Sequence, residues 1–135
     1  MKTIVSPAIA FFSLLMLLSC KGPSLLDKFD VRPSTLSVSA KGGEFDITSE
    51  PFDQVYILVN GESFETDRYT GQTDGKTYSV SGGWLSASFT PRNGVQPTTV
   101  KVIVEENKTG ASREATIIVS NVIEGSGQVK VKQSN

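Results

Sequence analysis

Few side chains in this 135-residue chain could do chemistry, and the gaps exclude whole classes of reaction. There is no His. A Ser or Thr nucleophile would therefore need activation by Lys or a carboxylate, and no motif presents such a pair. Paired carboxylates could hydrolyse a glycoside, but a sandwich of about 100 residues rarely encloses the deep pocket such chemistry needs. No enzymatic activity is expected. Glu65, Asp67 and Asp74 do not form the D-x-[DN]-x-[DN]-G loop of a calcium site, so neither a metal nor a dissociable cofactor is expected. Recognition chemistry is better represented. Tyr69 lies in the polar stretch Glu62–Lys76 with Phe64, Asp67 and Arg68, and Tyr78 follows shortly after. An exposed aromatic plane could stack on a sugar ring while Asp67 and Arg68 hydrogen-bond its hydroxyls, on a loop carried by a rigid scaffold. The competing reading is a solvated hairpin tip whose Tyr lies along its own strand. Trp84 has the same two uses, as an exposed stacking platform or as a core residue.

The remaining reactive group is the sole cysteine, Cys20. It follows Lys2 and the run Ile4–Leu18, fifteen residues of which twelve are apolar. As a helix that run spans about 22 Å, short of the ~30 Å hydrocarbon core that a permanent span must cross. A charged start and an apolar middle fit a removable export signal over residues 1–19. Leu17-Leu18-Ser19-Cys20 resembles the lipobox of bacterial lipoproteins, in which the matching thiol is acylated, the chain is cut before it and the new amine is acylated too. The resemblance implies a covalent lipid on Cys20 and a membrane partner, since two or three acyl chains anchor far more firmly than one. The expected location is the cell envelope, as an outer-membrane lipoprotein. No acidic cluster directly follows Cys20, and the surface and periplasmic faces both stay open. With no second Cys, the domain must fold without a disulfide.

Removing residues 1–19 takes only Lys2 among the charged groups, leaving 12 basic against 14 acidic side chains. No run reaches five like charges, so the concentrated basic face that nucleic acid requires is missing. Mature Val, Ile and Thr number 30 against 9 Ala and Leu, which favours sheet over helix. Residues 20–33, the lipidated Cys and a tether, contain Phe29 and Val31 alternating with Asp30 and Arg32, which predicts a short first strand.

The body, 34–135, alternates strand-like runs with turn signals every 8–14 residues. Leu36, Val38 and Ala40 share a face; Lys41-Gly42-Gly43 turns the chain, and Phe45 and Ile47 return on the same face. Val55–Val59 is apolar on both faces, which predicts a central strand. Asn60-Gly61 is a two-residue hairpin signal. Thr77–Val80 and Trp84–Phe89 flank a Ser-Gly-Gly turn. Val100, Val102 and Val104 alternate along the next strand, and Asn107-Lys108-Thr109-Gly110 turns it into Arg113–Val119, with Ala115, Ile117 and Val119 inward. Asn107 and Thr109 also match an N-glycosylation pattern, but turn chemistry explains them better beside a bacterial lipobox. Arg113 is placed to hydrogen-bond back to this turn. Val129 and Val131 close the pattern. The reading is all-β: an immunoglobulin-like β-sandwich of about seven to nine strands, Greek-key type, with a small β-barrel as the alternative.

Several segments together resemble the BACON domain, a β-sandwich module common in exported proteins of Bacteroidetes. They are Gly42-Gly43-Glu44-Phe45-Asp46-Ile47-Thr48-Ser49; Trp84-Leu85 with Thr90-Pro91 and Gly94; Asn107, Gly110 and Arg113 with Ala115-Thr116-Ile117; and Val129-Lys130-Val131-Lys132-Gln133. The match covers roughly 34–133. Phe52, Val55 and Tyr56 stand where the family usually carries an earlier Trp, and the stretch from Asn60 to Ser81 is longer than usual. The resemblance favours Trp84 as a core residue, beside Phe45, Ile47, Val102 and Ile117. It implies binding of polysaccharide or mucin glycan. The alternative is a spacer or interaction subunit that docks on an envelope protein partner without binding glycan. A glycan site predicts Tyr69 or Tyr78 exposed in a polar groove; a docking role predicts an open sheet edge or an apolar patch.

Overall fold

A computed structural model describes residues 29–71 and 75–135. The export segment, Cys20 and Asp74 lie outside the described residues. Ten strands follow one another: β1 Val31–Arg32, β2 Thr35–Val38, β3 Gly43–Ser49, β4 Gln54–Val59, β5 Glu62–Glu65, β6 Tyr78–Ser81, β7 Leu85–Phe89, β8 Thr99–Val104, β9 Arg113–Asn121 and β10 Gly125–Gln133. They form two five-stranded sheets, ordered β1-β3-β8-β7-β6 and β2-β10-β9-β4-β5. This is an immunoglobulin-like sandwich, not a closed barrel, and β2 pairs in parallel with β10 while every other ladder is antiparallel.

Two-residue alternation is what closes the two inner faces on one another. In β8, Val100, Val102 and Val104 are buried while Thr99, Lys101 and Ile103 face water. In β9, Ala115, Ile117 and Val119 point inward, and in β10 Val129 and Val131 do the same. Ile47, Val102 and Ile117 are fully buried, as predicted. Each such aliphatic contributes about 1.5–3 kcal/mol by leaving water. Phe52 packs edge-on against Phe89, ring centroids 5.0 Å apart. Phe29 and Val31 bring the start of the described chain into the same core.

The Asn60-Gly61 hairpin joins β4 to β5 with Val59 opposite Glu62. Both turn residues have positive φ, 51° and 80°, as a twist-matched two-residue turn requires. β4 is an interior strand, between β9 and β5. The structure differs from the sequence reading in four places. β5 raises the strand number to ten, because the polar run after Gly61 pairs with β4 despite its exposed glutamates. The turns at 39–43 and 107–110 are crossovers between sheets, not hairpins: β2 and β9 belong to one sheet, β3 and β8 to the other. Phe45 is half-buried, packed against the core rather than inside it. Trp84 does not lie between the sheets; it is half-buried at the end of the sandwich, just before β7, and the fully buried position goes to Leu85.

The two ends of the sandwich differ. One gathers the β3–β4, β7–β8 and β9–β10 connections, where Phe52 N–H reaches Pro97 O and Asp53 N–H reaches Ser120 O. The other gathers the 39–43 and 105–112 crossovers, the 81–84 turn and the end of β10.

Candidate functional site

The residues proposed from sequence for stacking do not form a platform. Tyr69 is 4% exposed and Tyr78 5%. Their rings meet edge to face at 6.0 Å, and Tyr78 stacks on Phe89 at 5.1 Å. Neither ring offers an open face to a sugar, so the expectation of an exposed tyrosine is corrected. Phe64 is also packed against the core, and Lys76 Nζ stands 4.9 Å over the Tyr78 ring.

The polar neighbours explain why this segment turns inward. The buried Thr66 donates its backbone N–H to Val55 O and accepts Val55 N–H on its hydroxyl. Tyr69 N–H reaches Asp53 O. Arg68 donates to Asp53 Oδ1 at 3.0 Å and to Gln54 Oε1 at 2.9 Å, while Gln54 Nε2 donates to Thr66 O at 2.8 Å and Glu65 Oε2 at 3.1 Å. Arg68 thus serves to pin the segment to β4. Asp67 is exposed beside it. The proposed set is therefore split among core, clamp and solvent, and is not brought together in one groove.

A concavity lies at the opposite end, on the outer face of the β2-β10-β9 sheet. It has a volume of about 510 Å³ and is bordered by Ser37, Ser39, Ser112, Glu114, Lys132 and Ser134, with Arg113 and Gln133 at its floor. That volume lies within the range of small-ligand sites. Pairing produces the arrangement: Lys132 stands opposite Ser37 on one side and Glu114 on the other, so hydroxyl, ammonium and carboxylate form a row across three strands. The floor is rigid. Gln133, 1% exposed, donates through Nε2 to Ser39 O at 3.0 Å and Glu105 O at 2.9 Å. Its Oε1 accepts Arg113 Nε–H at 2.8 Å. Arg113 Nη2 also reaches Glu105 O and Glu106 O, both at 3.3 Å, so it ties to the two residues just before the Asn107 turn rather than to the turn itself. The Arg113 guanidinium lies 4.5 Å over the Trp84 ring, so the indole face supports the arginine and is not free for a ligand.

Sequence reasoning missed this groove. Outward serines on a strand are unremarkable singly, and only the parallel β2–β10 pairing sets Ser37 and Ser39 beside Lys132 and Ser134. Among the described residues, no group of three or more His, Cys, Asp or Glu could hold a metal ion.

Comparison with known proteins gives one family. The BACON model, described as "Putative binding domain, N-terminal", matches residues 66–134. No curated protein matches the sequence. Among solved structures, a Bacteroides ovatus GH5 xyloglucanase in complex with a XXXG heptasaccharide is similar with a TM-score of 0.51 and 24% identity, over 79% of this chain and 19% of that one. The chain thus spans about a fifth of the xyloglucanase, and the likeness is one of fold. Titin domain M7 aligns with a TM-score of 0.44 and 15% identity, over 78% of this chain and 91% of that domain.

Proposed function

The chain belongs to the BACON family of binding domains, and from that membership we propose a lipid-anchored, non-catalytic envelope module that binds polysaccharide or host glycan. The observation that carries glycan binding is the groove at the end of β10. Four serines, a lysine and a glutamate border it, above a floor that includes Arg113 and Gln133. A sugar hydroxyl both donates and accepts, and a mixed array of hydroxyl, cation and carboxylate can satisfy both roles. Arg113 and Gln133 are already fixed by hydrogen bonds, so the ordering cost of binding falls on the exposed Lys132 and Glu114 side chains at the rim. This groove takes the role that the sequence reading gave to Tyr69 and its neighbours.

Cys20 supplies the anchor in this proposal, and the outer membrane is the location. The absence of His from the sequence and the family's description as a binding domain support the non-catalytic reading.

Affinity electrophoresis through plant, microbial and mucin polysaccharides tests the reading. Retardation by at least one glycan is expected, and it should be lost in Lys132→Ala with Ser39→Ala. A protein that migrates freely through every gel is a spacer or docking subunit instead. Incorporation of labelled palmitate in the native host, absent from Cys20→Ser, tests the anchor separately.

A further inference from the structure

The most exposed large apolar side chains among the described residues sit on one tip. Ile123 is 88% exposed and Val122 67%, in the turn between β9 and β10, where Gly, Asn, Asp or Ser is the usual choice. The turn is rigidly built. Buried Asn121 accepts the backbone N–H of Ile123 at 2.9 Å and of Glu124 at 3.3 Å through Oδ1. Its Nδ2 donates to Pro51 O and to Gln96 Oε1. Asp53, also buried, accepts Val122 N–H at 3.3 Å. Val95, 64% exposed, projects from the adjoining loop that Gln96 ties to Asn121. Buried polar groups thus hold apolar side chains out into water at a fixed place.

We propose that this tip rests on the lipid surface to which Cys20 anchors the chain, with Val122 and Ile123 entering the interface. The proposal depends on the lipidation reading above, and chain length selects the lipid as occupant. Phe29 packs beside Gly127 near the start of β10, and Asp30 O accepts Glu50 N–H, so the described chain begins at the same end as the tip. Nine residue steps separate Phe29 from Cys20 and span at most about 32 Å. The sandwich is itself about 30 Å long, the reach of the nine-residue β10. Turning the groove end toward the membrane would therefore need a fully stretched tether. With the tip end down, no such full extension is required, and the groove faces away from the membrane. Acidic Asp30, Glu50 and Glu124 and basic Arg32 and Arg92 are mixed at this end, so headgroup charge neither drives nor blocks the contact. The anchor also makes the encounter intramolecular, at an effective concentration in the millimolar range, so a weak contact is enough.

The test uses the full acylated protein in phosphatidylethanolamine–phosphatidylglycerol vesicles. Acylation of Cys20 leaves an introduced thiol free to take a nitrobenzoxadiazole label, placed by Ile123→Cys or, as a control at the far end, by Lys108→Cys. The label at 123 should shift to the blue and be quenched by nitroxide lipids, while the label at 108 should do neither. Equal, water-like emission from both sites on protein that floats with the vesicles overturns the tip contact and leaves the anchor standing. Shielding at 123 from soluble iodide without lipid quenching also overturns it, in favour of a protein occupant. If the unlabelled protein does not float, the anchor reading fails and this proposal falls with it.

Discussion

Replacing Gln133 with alanine should measure how much the sandwich depends on one side chain. Gln133 is buried and joins three segments: the 39–43 crossover, the end of β8 and Arg113 at the start of β9. Truncation removes donations to Ser39 O and Glu105 O, a longer one to Ala40 O at 3.4 Å, and one accepted bond from a charged donor. The carbonyls are not orphaned, because Ser39 O keeps Gly42 N–H and Glu105 O keeps Arg113 Nη2. The relevant figure is therefore the net worth of each bond, about 1 kcal/mol, rather than the larger penalty for a stranded group. The three shorter bonds give roughly 3 kcal/mol, before any contribution from the space left behind. In a domain of about 100 residues this lowers Tm by roughly 12–20 °C. Urea unfolding followed by the fluorescence of Trp84, the sole Trp, measures it directly. The midpoint should fall with the slope unchanged. A loss below about 0.5 kcal/mol would refute the reasoning, since water would then replace Gln133 at no cost.

Three further outcomes follow from the packing. At Gly42 a Cβ would strike Val104 O and Glu105, and φ is +74°; Gly42→Ala should cost at least about 2 kcal/mol, whereas Gly110→Ala, with φ +81° and open space, should cost only about 1 kcal/mol. Thermal melts of the pair separate collision from backbone preference. Tyr69→Ala should lose about 3–5 kcal/mol in a denaturant titration, as a core truncation does, and any loss of glycan retention should track unfolding. Arg113→Lys keeps the charge but loses the planar fork over Trp84, and should destabilise by about 1 kcal/mol with a shift in Trp84 emission.

Alternation and turn chemistry made most strands legible. β8 reads directly as inward valines, and Asn60-Gly61 announces its hairpin because few other pairs tolerate two positive φ angles. A turn signal, however, says only that the chain reverses. Whether it returns to the same sheet depends on which faces pack, so the crossovers at 39–43 and 107–110 read as hairpins. Tyr69 misled for a related reason. Its neighbours are polar, but they are the groups that hydrogen-bond to Asp53, Gln54 and Val55 and draw its ring inward. Trp84 found its cover in Arg113, 29 positions away in sequence. No local pattern reports such a pairing. The groove was hidden because its serines belong to strands that meet only in the folded sheet.

The parallel ladder between β2 and β10 has a mechanical consequence. Its four paired positions, Thr35–Val38 against Lys130–Gln133, join a strand near the start of the domain to the last one. A tug between residue 29 and residue 135 pulls these strands along their own axes in opposite directions. The bonds then bear the strain together, in shear, instead of parting one at a time as a peeled edge would. Stretching the domain along its long axis therefore loads this ladder as a unit.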